Sequence, residues 1–230
     1  MLKLSPILIA ILYALGMYVL SAWRTNRQLD RQSTELADAR LRELTRRMAA
    51  EVDLPDLRVH VFEIDPVNGL AAPDGRIFIT RGFYNRYVAG EVSAEELATV
   101  IAHELGHVAL GHTRRRMLDF SGQNAIRVAL GGLLNRVIPG FGFWLAGLAA
   151  SLLAARLSRQ DEYEADAYAS ALLTKAGIGT APQKSLFAKL ERMTPGGFGT
   201  PAWLLSHPKT AERIAAIEAR EARWRQLPQA

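Results

Sequence analysis

The sequence predicts an α+β protein that is mostly helical, with a small β-hairpin or edge sheet and one transmembrane helix at its N-terminus. Residues 5–23 form an uncharged apolar stretch of the length that crosses a bilayer. Residues 57–64 and 68–80 carry β-branched runs and an Asp-Gly turn, which are typical of short strands. Much of the remaining sequence has the spacing of amphipathic helices. We therefore expect an anchored chain with one mixed domain.

Composition limits the kinds of protein and of site that can be expected. The chain has 230 residues, enough for one sizeable domain with its own core. Charged residues make up 22% and hydrophobic residues 49%, which excludes a disordered or collagen-like chain. The net charge of +5 comes with arginines scattered over amphipathic segments, so no nucleic-acid partner is expected. There is no cysteine, so any metal must be held by histidine and carboxylate side chains.

The N-terminal stretch predicts a transmembrane anchor over residues 1–24. A cleaved signal peptide is the alternative, but Leu20 and Trp23 flank the small residues between them and make a poor cleavage site. Arginines after the stretch outnumber the single lysine before it, which favours a cytoplasmic position for the rest of the chain. An uncleaved signal-like helix would instead export the domain.

An amphipathic linker helix is predicted over residues 25–50. Its apolar side chains fall near one stripe from Gln28 to Met48, with charged residues elsewhere. The β-branched segment after it is expected as a strand, and Asp74-Gly75 as the turn of a hairpin.

Ser93 and Glu96 predict the start of the helix that carries the most chemistry. The spacing Ser-x-x-Glu is a capping box, in which each side chain bonds the backbone of the other residue. His103 and His107 are four residues apart, so they share one helix face and can bind one ion. Glu104 lies at the edge of that face, where it can serve as a general base without being a ligand. Two ordinary core histidines are the alternative interpretation.

A third ligand is needed, because catalytic zinc sites combine three protein ligands with one open position. His112 does not fit the spacing of the extended histidine signature, and we expect it to cap or flank the helix end. His60 is expected to be an ordinary strand histidine. Glu162 and Asp166 are better candidates, since they lie four residues apart in the helical segment 158–173. One carboxylate can bind the metal while the other holds a liganding histidine.

Three segments together resemble the M48 family of zinc metallopeptidases. They are HELGH at 103–107, SRQDEYEADAYA at 158–169 and SHPKTAERI at 206–214, and they follow one another in the order of that family. The resemblance implies a gluzincin fold for a peptidase domain at 51–225, with one zinc ion per chain.

The resemblance also assigns roles to the first two segments. It implies that His103, His107 and Glu162 bind zinc. Glu104 would be the general base, and Asp166 would hold one of the liganding histidines.

The third segment would complete the site. By itself, a histidine before proline is more often a turn residue. The resemblance instead implies that His207 stabilises the oxyanion of the transition state and that Arg213 helps to organise the site.

A polypeptide substrate is expected to bind as an added strand at a sheet edge near the zinc. The segment after the first strand is similar to the edge segment of the family, so the expected contacts are Asn68, Gly69, Leu70, Ala71 and Ala72. Backbone pairing would let such an enzyme accept many sequences. Gly69 departs from the alanine that the family usually has at this position.

The apolar segment 128–157 lies between His107 and Glu162. A single crossing of the bilayer would put these two ligands on opposite sides, so they could not share an ion. Two crossings need ~40 residues plus a turn, which is more than the segment offers. We expect either a helix pair buried in the domain or a hairpin against the membrane surface, and we favour helices broken near Pro139-Gly140 with some membrane contact.

The sequence therefore predicts a zinc-dependent endopeptidase in a membrane, expected to be the bacterial inner membrane. Its substrates would be membrane-associated or misfolded proteins, as the resemblance implies. One alternative is a zinc-binding assembly factor or chaperone with little proteolysis. Another is a soluble-domain adaptor whose histidine motif is coincidental. The presence of Glu104, Glu162 and His207 argues against both.

Overall fold

The computed structural model describes residues 5–54, 57–112, 135–136, 142–192, 207 and 210–226. Seven helices and four strands lie in these ranges, and the predicted α+β, mostly helical architecture is confirmed. In chain order they are α1 (Ser5–Arg31), β1 (Ser33–Glu35), α2 (Ala39–Ala50), β2 (Val59–Phe62), β3 (Gly69–Ala71), β4 (Ile77–Thr80), α3 (Arg81–Val88), α4 (Ala94–Ala109), α5 (Gly142–Lys175), α6 (Ala181–Arg192) and α7 (Thr210–Gln226).

The four described strands form one sheet in the order β1-β2-β4-β3. β3 and β4 form the predicted antiparallel hairpin, and Gly75 in its turn has a φ of 89°, a value that favours glycine. β1 pairs antiparallel with β2, whereas β2 and β4 pair in parallel. β3 is therefore an edge strand of the described sheet.

The N-terminal apolar stretch lies in α1, which continues beyond it to Arg31. Leu12, Val19 and Trp23 are exposed on this helix. Residues 1–4 and the side chains of residues 5–11 lie outside the described part of the chain. Among the residues that are described, no helix is both long enough and apolar enough to cross a membrane.

The single helix predicted from Gln28 to Met48 is wrong. α1 ends before residue 33, strand β1 follows, and α2 starts as a separate helix. Asp38 caps α2 by accepting a hydrogen bond from the Leu41 amide at 2.8 Å. The interruption arises because β1 finds backbone partners in β2, which the leucine spacing does not reveal.

α4 is the central helix of the core. It contacts α2, α5, α6 and the hairpin strands β3 and β4. Its apolar side chains, including Leu97, Ile101 and Leu105, are buried. The predicted capping box is confirmed, with Ser93 and Glu96 each bonding the other's backbone. A helix packed on so many sides holds its functional side chains in fixed positions.

α5 is longer than the helical segment predicted at 158–173. It runs for 34 residues and includes the second half of the apolar segment 128–157. Trp144, near its start, is exposed. The predicted break near Pro139-Gly140 lies outside the described residues.

Candidate metal centre

Four buried side chains converge between α4, α5 and the chain before α7. They are His103 and His107 of α4, Glu162 of α5 and His207, and one donor atom from each lies within 4.8 Å of the others. The Nε2 atoms of the two α4 histidines are 3.1 Å apart. The Glu162 carboxylate lies 3.4 Å from His103 Nε2 and 3.5 Å from His107 Nε2. Two imidazole nitrogens together with a carboxylate are one of the ligand sets of catalytic zinc sites.

Gly106 allows α4 and α5 to approach closely enough for this arrangement. A Cβ atom at Gly106 would lie 3.0 Å from the Ala165 carbonyl oxygen and 3.3 Å from Tyr168 Cβ. The first of these neighbours is backbone and cannot move without shifting α5. A larger residue would therefore push the two helices apart and separate Glu162 from the histidines.

Asp166 and Arg213 hold His103 on the side away from the donor cluster. Asp166 Oδ1 lies 2.9 Å from His103 Nδ1. Arg213 donates to both Asp166 oxygens, with Nε–Oδ2 at 2.6 Å and Nη2–Oδ1 at 2.7 Å. Burial raises the pKa of Asp166, but the positive charge of Arg213 and its hydrogen bonds lower it to about 2. Asp166 is therefore an ionised acceptor that fixes the proton of His103 on Nδ1 and leaves Nε2 for a metal.

His207 lies inside the donor cluster. Its Nδ1 contacts Glu162 Oε2 and lies 3.3 Å from His103 Nε2. Its Nε2 lies 3.6 Å from Glu104 Oε1. Its carbonyl oxygen accepts a hydrogen bond from Arg213 Nη1 at 3.2 Å. His207 is thus placed where it can donate to a substrate oxygen or act as a further ligand.

The charges around the cluster favour a cation at its centre. Burial lowers the pKa of His103, but its hydrogen bonds to Asp166 and Glu162 outweigh burial and raise the pKa to about 9. Burial raises the pKa of Glu162, but the hydrogen bonds from His103 and His207 outweigh burial and hold it far below its usual range. Glu162 is therefore ionised, and a cation at the centre of the cluster would offset its charge.

Glu104 has a buried carboxylate oxygen beside the donor cluster, and this oxygen bears on whether a metal fits the site. Its side chain is buried, and its Oε1 has no hydrogen-bond partner among the described residues. A buried carboxylate oxygen normally needs a partner, because leaving it unsatisfied costs more than ~1 kcal/mol. This oxygen lies beside the donor cluster but does not belong to it. The residues fit a zinc ion held by histidine and carboxylate, with an acceptor next to it.

Comparison with known proteins decides the family. The family model described as Peptidase family M48 matches residues 35–221. The chain belongs to peptidase family M48. The predicted family is thereby confirmed.

Relatives in this M48 family carry metalloprotease and protease names. Metalloprotease LoiP of Escherichia coli (strain K12) is 34% identical over 163 residues, which cover 70% of this chain and 61% of LoiP. Metalloprotease YcaL of the same organism is 28% identical over 181 residues, covering 79% of this chain and 68% of YcaL. A protease HtpX homolog of Salinibacter ruber is 28% identical over 252 residues, covering 92% of this chain and 87% of the homolog. The match to LoiP thus spans less than two thirds of the length of that protein.

The edge segment Asn68–Ala72 of this M48 chain lies next to α4. A Cβ atom on Gly69 would overlap Val100 Cγ1 and would lie 3.5 Å from Glu104 Oε1. This contact explains the departure from alanine, because Val100 leaves room for glycine only. The edge strand therefore passes directly beside Glu104.

His112 follows the end of α4, as expected, but it does more than flank the helix. Gly111 has a φ of 69° and turns the chain back, as glycine commonly does after a helix. His112 becomes fully buried, and its Nδ1 lies 3.0 Å from His107 Nδ1. Sequence reasoning missed this contact, although the glycine before His112 was a signal for the turn.

Proposed function

We propose that this M48 member is a zinc-dependent endopeptidase in which His103, His107 and Glu162 hold the ion. The observation that carries the proposal is the buried Glu104 oxygen without a hydrogen-bond partner, next to the donor cluster. Such an oxygen is placed to accept a proton during the reaction. A zinc-binding factor without activity would not need it, so an enzyme is favoured over the assembly factor or chaperone.

The side chains would divide the chemistry of peptide hydrolysis. When bound, zinc supplies a Lewis acid that polarises the carbonyl and favours ionisation of water. Glu104 takes the proton of the attacking water and later passes it to the leaving amine. His207 donates to the developing oxyanion, and Arg213 fixes His207 by donating to its carbonyl oxygen. Asp166 keeps the His103 ring oriented.

The substrate would be an extended polypeptide that adds to β3 at the edge of the described sheet. Support comes from the position of β3 at the end of the described sheet and from the closeness of Gly69 to Glu104. Backbone pairing along residues 68–72 would put a peptide bond beside the donor cluster without selecting side chains. Membrane-associated or misfolded proteins would suit this strand addition wherever segments of their chains are exposed in extended form.

Membrane attachment is a separate part of the proposal. It is supported by the uncharged stretch 5–23 and by the exposure of Leu12 and Val19 on α1. The exposed Trp144 on α5 offers a second apolar contact.

Deleting residues 1–24 should move the protein to the soluble fraction, and full-length protein that is already soluble would contradict the anchor. A C-terminal alkaline phosphatase fusion, inactive on the cytoplasmic side, tests the orientation favoured by the arginines.

Glu104→Gln tests the proposed reaction. The amide cannot act as a base, so we expect casein cleavage to fall by ~10²–10⁴-fold while zinc content stays at the level of the parent. Glu95→Gln is the matched control on the same helix, because Glu95 lies outside the donor cluster and pairs with Arg40. His207→Phe should also lower turnover while zinc is retained.

Two results would contradict the proposal. Parent-like cleavage by Glu104→Gln would remove the general base. A parent chain that binds zinc but does not cleave casein in the absence of chelator would favour the assembly factor or chaperone instead.

A further inference from the structure

The two α4 histidines are both contacted on Nδ1, but by different partners. For His103 the partner is Asp166, at 2.9 Å. For His107 it is His112, whose Nδ1 lies at 3.0 Å. The other ring nitrogen of His112, Nε2, lies 3.2 Å from Glu164 Oε2 and 3.7 Å from Asp161 Oδ1. A buried histidine therefore links His107 to two carboxylates.

The role of His107 as a metal ligand determines which ring nitrogens of His107 and His112 carry a proton. Its Nε2 faces the donor cluster, so a neutral ring that binds a metal there carries its proton on Nδ1. That proton can be donated only if His112 Nδ1 is an acceptor. The proton of His112 must then be on Nε2, which is the atom that faces Glu164 and Asp161. With these protons, His107 Nδ1 donates to His112 Nδ1, and His112 Nε2 donates to the Glu164 carboxylate.

A second metal site is the competing interpretation. His112, Asp161 and Glu164 offer donor atoms within 4.8 Å of one another. A metal on His112 Nε2 would require the His112 proton to be on Nδ1, where it would point at the proton of His107 across 3.0 Å. Two donors cannot face each other at that distance without a cost, so the hydrogen-bonded chain is favoured.

We propose that His112 is a positioning residue for the zinc ligand His107, with Asp161 and Glu164 setting the tautomer of His112. The inference rests on the proposed zinc site. His112 and Asp161 are buried, and Glu164, which is partly exposed, also accepts a hydrogen bond from Gln160 at 2.8 Å. Fixing the His107 ring in this way reduces the conformational entropy that the ring loses when it binds a metal. It also makes Nε2 a stronger electron-pair donor to the metal.

Two amide substitutions at His112 separate positioning from a general structural role. Asn places its side-chain oxygen near the position of Nδ1, so His112→Asn keeps an acceptor for His107. Gln reaches instead toward the position of Nε2, so His112→Gln keeps a donor for Glu164 but removes the acceptor for His107. Both variants are polar, and both can be made in the full-length chain.

The readout is zinc affinity, measured by competition with a chromogenic chelator. We expect His112→Gln to bind zinc ~10–100-fold more weakly than the parent, the usual range for a lost outer partner of a ligand. His112→Asn should recover most of that affinity. The visible absorption of the cobalt-substituted chain should change in His112→Gln, because the orientation of a ligand has changed. His60→Gln is the control, since His60 lies in β2 and stacks on Phe78.

Several outcomes would overturn the proposal. Equal zinc affinity in His112→Asn and His112→Gln, whether at the parent level or below it, would show that the acceptor at Nδ1 has no role. Two zinc ions per parent chain, with one lost in both variants, would make His112 a ligand of a second ion. A parent chain that binds no zinc would overturn the proposed function itself, and this result is distinct from both of the others.

Discussion

Arg213 carries a fully buried positive charge. Removing it should show how much the charge contributes to the free energy of unfolding, independently of zinc affinity. Its guanidinium makes two hydrogen bonds to Asp166 and lies 4.3 Å from the centre of the Phe187 ring. Arg213→Met keeps a similar length of apolar chain but removes both guanidinium hydrogen bonds from the buried Asp166 carboxylate, which then keeps its contact with His103. The perturbation is therefore electrostatic more than steric.

The magnitude follows from the burial of the pair. Removing one member of a buried ion pair typically costs ~3–5 kcal/mol, because the remaining charge is left without compensation. Asp166 is almost inaccessible, and the positive charge of Arg213 is the first of the interactions that hold its pKa near 2. We therefore expect Arg213→Met to lower the free energy of unfolding by ~3–5 kcal/mol at neutral pH.

Urea unfolding in the presence of chelator measures this loss without any contribution from zinc. Arg223→Met on the same helix is the matched control, since Arg223 is exposed, and it should change the free energy of unfolding by less than ~0.5 kcal/mol. A loss in Arg213→Met no larger than in this control would refute the argument from burial.

The double variant Arg213→Met/Asp166→Ala sharpens the test. It removes both charges, so most of the lost stability should return, because an uncharged replacement of a buried pair is often neutral. Zinc affinity should stay ~10–100-fold below the parent, because His103 has lost its acceptor at Nδ1. Parent-like zinc affinity in the double variant would show that Asp166 does not orient His103.

Two further predictions address the edge strand and the start of α4. Gly69→Ala should lower the free energy of unfolding by ~1–3 kcal/mol, because the new Cβ overlaps Val100. The additional change Val100→Ala should restore stability in urea unfolding. Unchanged stability of Gly69→Ala would refute the overlap. Burial raises the pKa of Glu96, but its hydrogen bonds from Lys189, Ser185 and the Ser93 amide outweigh burial and lower the pKa below its usual value of 4.5. The stabilisation by ionised Glu96 is therefore present above pH 4.5 and is lost as the pH falls through the lower pKa of the folded state. Glu96→Gln should lower the free energy of unfolding, measured in urea, by ~1–3 kcal/mol at pH 7. Near the lower pKa of Glu96 the loss should be much smaller. A loss that does not change with pH would contradict this role of ionised Glu96.

Local features of the fold were predictable from the sequence. The capping box of Ser93 and Glu96, the hairpin turn at Gly75 and the strand around Val61 all appear where the sequence predicts them. Each depends on residues only a few positions apart, whose hydrogen bonds and backbone preferences act within one turn or one strand. The same is true of His103 and His107, since the helical repeat alone puts them on one face.

The helix wrongly predicted from Gln28 to Met48 shows where such reasoning stops. Its leucine spacing is helical, yet Ser33–Glu35 leaves the helix to pair with β2. The parallel pairing of β2 with β4 likewise joins segments that are distant in sequence. Strand formation depends on which partner is available, and a one-dimensional pattern does not contain that information.

The metal centre divides in the same way. The sequence by itself put His103 and His107 on one helix face and offered Glu162 and Asp166 as candidates for a third ligand, and the family resemblance implied Glu162. Only the tertiary structure turned Glu162 toward the Nε2 atoms, placed Asp166 behind His103, and folded His112 back onto His107. The contacts of Glu162 and Asp166 join residues up to 63 positions apart, and they exist because α4 and α5 pack closely enough to bury their polar groups together. A buried polar group must find a partner in three dimensions, so its partner is decided by packing and not by spacing along the chain.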